Sequence, residues 1–292
     1  MQFSGQQKPP LGVVYLTTMS RPDSALALAL MHGFEGKREA RVGAVAVIGA
    51  GLGAAMFCDA VALFYAGPGL PSNSNRVLPV GLAVSGQIPP DPPMVKMAAS
   101  LRRNVYGVSD TSEVLALIRN ALTAQADANV VIVLSSAPDY LLRELALPGV
   151  KDLITAKVKS LIVVESPGRQ NSERLRAGWP TPIVNIDQSI GESVPYPAAS
   201  IEKDFAWATE RPHPVLEAYR AYKPMPYDAP SYDMAGMLYA IHPELPFWVK
   251  QGGKVTIDPA QKDTLLKAYI ETASAKPALR RQFRPQAAEV KK

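Results

Sequence analysis

The sequence is poor in the residues that build disulfide frameworks and metal clusters. It has one cysteine in 292 residues, so no intrachain disulfide can form. That residue, Cys58, sits in the apolar run from Ala54 to Tyr65 and reads as a small core side chain rather than a nucleophile. There are three histidines, His32, His213 and His242, too far apart in sequence to suggest a Cys/His zinc site. His32 reads as a packed or solvated helix residue, and His213 and His242, each before a proline, as loop residues. No apolar stretch reaches the roughly 18 residues that span a bilayer, no signal peptide is visible, and no membrane partner is expected. The compartment is left open, because the polar start from Gln2 to Pro10 suits a cytoplasmic chain as well as an exported and trimmed one. The net charge of +5 is spread thinly, apart from Arg280, Arg281, Arg284, Lys291 and Lys292. That basic tail, residues 276–292, reads as a solvated extension, and no nucleic-acid partner is expected without a basic cluster on a folded face.

What the chain has is strand–helix alternation. Leu11 to Thr17, Arg41 to Ile48, Val80 to Val84, Asn129 to Leu134 and Ser160 to Val164 read as strands. Between them come helices over Ser24–Phe34, with Asp23 as the cap, from the glycine turn to near Tyr65, over Ser109–Ala124 and over Pro138–Leu147. Residues 67–79 and 85–108 read as irregular, the latter with four prolines between Pro89 and Pro93. Later come a proline-rich surface loop from Tyr222 to Pro230, a helix from Met234 to Ile241, a strand from Lys254 to Ile257 and a helix from Pro259 to about Ser274. This alternation predicts an α/β fold, one Rossmann-like domain with a mostly parallel sheet and helices on both faces. The expected division is a flexible start (1–10), the domain (11–275) and the basic tail (276–292). Thr17, Gly49, Ser135 and Val164 should then share one edge of the sheet, and the ligand cleft should lie there.

The most conspicuous local motif, Gly49-Ala50-Gly51-Leu52-Gly53, follows a strand and opens a helix. It has the outline of a dinucleotide fingerprint, in which glycines let the backbone approach a pyrophosphate at a helix N-terminus. Such a binder also needs an acidic residue about 20 positions on, and Pro68 to Pro79 contains none. A tight strand-to-helix turn is the preferred reading, with dinucleotide binding through Gly49–Gly53 a minor alternative. Ser135-Ser136 lacks the G-x-S-x-G spacing of a serine hydrolase, and Arg102-Arg103 reads as surface.

Several stretches in order resemble the nucleoside hydrolases, the inosine/uridine-preferring N-ribosyl hydrolases. Asp23-Ser24-Ala25-Leu26-Ala27-Leu28 resembles the run that opens that family's first helix. Gly43 to Val47, then Asp59-Ala60-Val61 and Phe64-Tyr65, resemble its second βα unit. Val130 to Leu145, Trp179 to Val184, and Pro230-Ser231-Tyr232-Asp233 leading to Leu245 resemble later elements, so the likeness spans about residues 11 to 260. The resemblance implies a Rossmann-like sheet with a calcium ion at the strand ends, where carboxylates hold the metal and activate water for cleavage of the N-glycosidic bond.

The departures fall on that chemistry. Of the family's acidic cluster only Asp23 remains, at the position the resemblance gives to a ribose hydroxyl. Ser24 stands where a metal carboxylate would, and the preceding acids align with Thr17 or Met19. The turn asparagine is Gly51, the carbonyl-donating threonine falls near Asp139, and the C-terminal His-Asp pair is Tyr232-Asp233. The loop that would grip the ribose has no counterpart between Glu165 and Arg176. Asp23 and Asp233 are the weak metal candidates, too few for a cation that takes six to eight oxygens, so no calcium or other cofactor is expected. Each also reads as a helix cap. The resulting expectation is a divergent nucleoside hydrolase-like protein that does not hydrolyse in the family's way, with Asp23, Ser24, Asp139, Tyr232 and Asp233 as candidate ligand contacts for a nucleoside or sugar. An active N-ribosyl hydrolase is the alternative, and self-association into a homo-oligomer stays open.

Overall fold

The structure is a computed structural model that describes residues 9–66, 78–84, 89–168 and 172–277. The expectations for residues 1–8, most of the 67–79 loop and nearly all of the basic tail lie outside the described residues. The first half reads β1 (Leu11–Thr17), α1 (Pro22–Gly36), β2 (Ala40–Val47), α2 (Leu52–Ala66), β3 (Val80–Leu82), α3 (Val114–Thr123), β4 (Val130–Ser135) and α4 (Asp139–Leu145). Then follow α5 (Val150–Lys157), β5 (Val158–Val164), α6 (Ser172–Arg176), β6 (Ile183–Ile186), α7 (Gln188–Ser193) and α8 (Ala198–Asp204). The chain continues with α9 (Pro214–Tyr222), α10 (Tyr232–Ile241), β7 (Trp248–Gln251), β8 (Lys254–Ile257) and α11 (Lys262–Ala273).

The strands form one eight-stranded sheet in the order β3-β2-β1-β4-β5-β6-β8-β7. All neighbouring pairs are parallel except β7 with β8, an antiparallel hairpin at one edge. Thr17 pairs with both Val47 and Ser135, and Leu134 pairs with Val163, so the carboxyl ends of β1, β2, β4 and β5 share one edge as the alternation required. From β1 chain order runs outward to β3 on one side and to β6 on the other, which puts a topological switch, and a crevice, between β1 and β4.

Alternation along each strand divides the core. Val13 and Tyr15, Val131 and Val133, and Ile162 and Val164 face a layer that includes α1, α2, α9, α10 and α11. Val14 and Leu16, Ile132 and Leu134, and Leu161 and Val163 face α3, α4 and α5. Both faces are covered, as a parallel sheet requires, and the strands are accordingly almost continuous apolar runs. Gly236 lets α10 lie close on the sheet, since a side chain there would run into Val164. That contact sets the start of α10 over the ends of the central strands.

Three local expectations are corrected. The helix expected from Ser24 starts at Pro22 with Arg21 as its N-cap, because proline is pre-organised for the first helical position; Asp23 lies inside the first turn and does not cap it. Asp233 likewise sits inside the first turn of α10, after Ser231. His213 is no loop residue: it is buried and caps α9, its imidazole accepting from the Val215 amide. In addition, α5 and the helices from 188 to 222 were not expected, although α9 carries Val215, Ala218, Tyr219 and Tyr222 at helical spacing, and β7 has one buried residue, Trp248, in four.

Candidate functional site

Asp23 and Asp233 are 210 positions apart in sequence and in direct contact in the fold. Asp23 Oδ2 accepts from the Asp233 backbone amide at 2.9 Å. That amide is one of the first-turn donors of α10 that no helical carbonyl can reach, so Asp23 caps a neighbouring helix rather than its own. Ser231, which precedes α10, gives its hydroxyl to the Val194 carbonyl instead.

Asp233 is fully buried and surrounded by donors. Its Oδ2 accepts from the Tyr15 hydroxyl at 2.5 Å and the Ser24 hydroxyl at 2.6 Å. Its Oδ1 accepts from the Ser135 hydroxyl at 2.5 Å and Arg21 Nη2 at 3.3 Å. Each oxygen therefore already takes two bonds, the capacity of a carboxylate oxygen. Arg21 bridges the two acids: its Nε reaches Asp23 Oδ1 at 3.1 Å, its Nη1 reaches the Ser166 hydroxyl at 3.4 Å, and its Cζ lies 5.0 Å from the centre of the Tyr232 ring.

The electrostatics follow from burial. Burial and the neighbouring Asp233 charge push the Asp23 carboxyl up to about 6, although Arg21 pulls it down. Burial disfavours the Arg21 charge, and Asp23 and Asp233 outweigh it, holding the guanidinium above its ordinary value. Burial and Asp233 raise the Tyr15 hydroxyl, which stays a donor. Between β1 and Arg21 the chain turns through Met19, buried with φ of 48°. A non-glycine residue held in the left-handed region costs of order 1–3 kcal/mol and concentrates at functional sites.

Beside this cluster opens a cleft of about 280 Å³ lined by Arg21, Asp23, Tyr222, Lys223, Tyr227 and Tyr232, among others. Of the expected contacts, Asp23, Ser24, Tyr232 and Asp233 come together here, but only Asp23 and Tyr232 line the cleft. Asp139 does not join them; it is exposed on α4 and pairs with Arg174 at 3.1 Å. Sequence reasoning missed Arg21, Tyr15 and Ser135.

The donor set does not fit a calcium ion. The cation of this site is already present as Arg21, and the Asp233 oxygens have no lone pair left to give. Among the described residues no group of three or more His, Cys, Asp or Glu side chains could hold a metal.

The glycine turn is filled from within the chain. Asp91, from the proline-rich segment, accepts from the Gly53 amide at 3.0 Å and the Ala54 amide at 3.1 Å. A side chain on Gly51 or Gly53 would strike that carboxylate. The glycines do permit an anion to approach the helix N-terminus, and that anion is Asp91 rather than a pyrophosphate.

No family model matches the chain, and no curated protein matches it in sequence. Solved structures do match in fold. The type III effector protein XopQ, in complex with adenosine diphosphate ribose, superposes with a TM-score of 0.64 at 13% identity, over 92% of this chain and 95% of that one. The inosine-uridine preferring nucleoside hydrolase of Bacillus anthracis gives 0.57 at 13% identity, over 90% and 99%. An inosine-guanosine nucleoside hydrolase gives 0.53 at 14%, over 90% and 98%. The chain thus has a nucleoside hydrolase-like α/β fold.

Proposed function

We propose that the protein is a non-hydrolytic binding protein on the nucleoside hydrolase-like scaffold, whose cleft beside Arg21 takes a ribose-bearing nucleoside or nucleotide. The observation that carries this reading is the Arg21 guanidinium lodged between Asp23 and Asp233. A guanidinium neutralises the acids but has no open coordination position, so it cannot turn a bound water into hydroxide as a metal does.

What the site keeps is recognition chemistry. Tyr222, Tyr227 and Tyr232 give the cleft aromatic walls for a base or sugar, with Tyr227 stacked on Tyr219 beneath the Lys223 ammonium and Tyr232 beneath Arg21, and the two cations offer positive charge to a phosphate. Each Asp23 oxygen accepts one bond from the protein, against two on each Asp233 oxygen, so Asp23 retains capacity for a ligand hydroxyl. The fold likeness to XopQ, which was solved with adenosine diphosphate ribose, supports a ligand of this class.

The test is calorimetric titration with adenosine, inosine and adenosine diphosphate ribose, alongside chromatography for released base, with calcium present. Saturable binding without base release is expected, weakened in Asp23→Ala and in Tyr227→Ala, the second guarding against a folding failure in the first. Hydrolysis faster than about 1 s⁻¹, the lower end of ordinary enzyme turnover, refutes the non-hydrolytic reading. Absence of binding to all three ligands refutes the recognition reading.

A further inference from the structure

We infer that a second binding site, for a polyhydroxylated ligand of near-neutral charge such as a free sugar, lies on the face of the sheet that carries α6. The site is a cavity of about 650 Å³ whose lining includes Glu165, Glu173, Arg176, Asn185, Lys254 and Thr256. It is separate from the Arg21 cleft, although consecutive residues border the two: Glu165 lines the cavity, Ser166 accepts from Arg21, and Pro167 lines the cleft.

The strand pattern builds it. In β6, Ile186 packs into the layer that contains α10, whereas Ile183 packs on the opposite face. Asn185, next to Ile186, faces away from the α10 layer. Lys254 pairs with Asn185 in register, so Lys254 and Thr256 share that face by alternation. Glu173 and Arg176 come from α6, and the β7–β8 hairpin turns at Gly252 and Gly253, both at positive φ, to close the rim.

Asn185 is the observation that points to a ligand. It is only 3% exposed, and its side-chain oxygen has no hydrogen-bond partner among the described residues. Its backbone amide is satisfied, donating to the Gly253 carbonyl at 2.8 Å, so the side chain is not spent on local structure. Buried polar groups are nearly always paired, and an orphaned acceptor beside a cavity calls for a donor from the occupant.

The rest of the lining narrows the class. Glu165 and Glu173 accept, Arg176 donates, Thr256 does both, and Lys254 is held by Asp187 and Glu165. Two acids against two bases leave little net charge for an ion to complement. Among the described residues no aromatic or aliphatic side chain lines the cavity, so none of them stacks a nucleobase or buries a hydrocarbon tail. Interleaved donors and acceptors without a ring face suit hydroxyl groups, each of which donates and accepts at once.

The experiment is saturation-transfer NMR and calorimetry on the full chain with D-ribose and myo-inositol, with spermidine as an ammonium-bearing comparison. Saturable binding of a polyol is expected, weakened about tenfold or more, the loss of one hydrogen bond, in Asn185→Ala and Glu165→Gln, and unchanged in Tyr227→Ala. Asn185→Ala removes an orphaned group, so its melting temperature should hold or rise. Polyol binding that Tyr227→Ala abolishes and Asn185→Ala spares places the sugar in the Arg21 cleft and overturns this site while leaving the proposed function standing. Binding of spermidine alone overturns the ligand class, and binding of none of the three overturns the site.

Discussion

Replacing Arg21 by alanine isolates the interaction on which the reading of the site depends. Deleting one partner of a buried ion pair costs about 3–5 kcal/mol, because the remaining charge is left uncompensated. Here two acids lose their counter-ion together. The Arg21 side chain keeps 20% exposure, so solvent screens part of the effect. The lost cation–π contact with Tyr232 returns roughly 0.5–1 kcal/mol to the total, for a net cost near 3 kcal/mol. A large domain shifts by about 2–4 °C for each kcal/mol, so scanning calorimetry at pH 7.5 should record a fall of roughly 6–12 °C.

The pH dependence separates this explanation from simple loss of packing. Asp23 already has a folded value of about 6, above its ordinary range. A carboxyl raised in the folded state contributes stability that is present at low pH and lost as pH rises through the folded value. Without Arg21 the principal influence lowering Asp23 is gone, so its value climbs further and the loss deepens toward alkaline pH. The variant should therefore lie much closer to the parent protein at pH 5, where Asp23 is protonated in both. Millimolar calcium should restore part of the stability of the variant at pH 7.5 and leave the parent unchanged. Equal falls at pH 5 and pH 7.5, or a fall below about 1 °C at pH 7.5, would refute the counter-ion assignment.

The glycine turn offers a double-mutant cycle. Asp91→Ala should cost about 0.5–2 kcal/mol, the usual loss of an N-cap, as measured by urea denaturation. In a Gly53→Ala background, where the methyl already displaces the carboxylate, the same change should cost little; additive costs would mean that Asp91 does not cap α2. A second titration concerns Glu144, whose two carboxylate oxygens are buried without hydrogen-bond partners among the described residues and lie no nearer than 4.0 Å to Arg119 Nε. Burial pushes it up to about 7 from an ordinary 4.5. Stability should fall between those values as pH rises, by at most about 3 kcal/mol. Glu144→Gln should flatten that segment of the curve, and an unchanged slope would assign it elsewhere.

The fold was legible because its strands are buried on both faces and so stand out as apolar runs. Leu11–Thr17 and Lys254–Ile257 are bounded in the structure as the sequence suggests. Elements carrying little apolar signal were not legible: α5 buries only Val150 and Ile154, and β7 only Trp248. In the site, Asp23 and Asp233 were recognisable by type and position, but their partners were not. Tyr15 and Ser135 carried a usable signal, since a hydroxyl within a buried strand must find a partner. Arg21 carried a subtler one. The loop from Thr17 to Ser24 holds one acid, Asp23, and one base, Arg21, and charge balance at two buried carboxylates asks for such a base. Spacing alone cannot show that its side chain turns inward.

That balance also decides what the site can do. Water attack on a glycosidic bond needs a base to take a proton and an electrophile to gather charge. At about 6, Asp23 lies near the range useful for a base. Each of its oxygens, however, already accepts one bond, from the Arg21 Nε or the Asp233 amide, which favours the charged form and holds the carboxylate in place while leaving one lone pair per oxygen for a ligand hydroxyl. Asp233 is saturated, and Arg21, permanently protonated, can accept no proton and points its donors at its own acids and Ser166. Each group that could drive hydrolysis is thus turned toward another group of the protein. Opening the cluster to free a base would expose two buried acids to each other. On the proposed reading, the arrangement that keeps α1 and α10 together is also the one that withholds a nucleophile, and a ligand meets the cleft walls and the remaining lone pairs of Asp23.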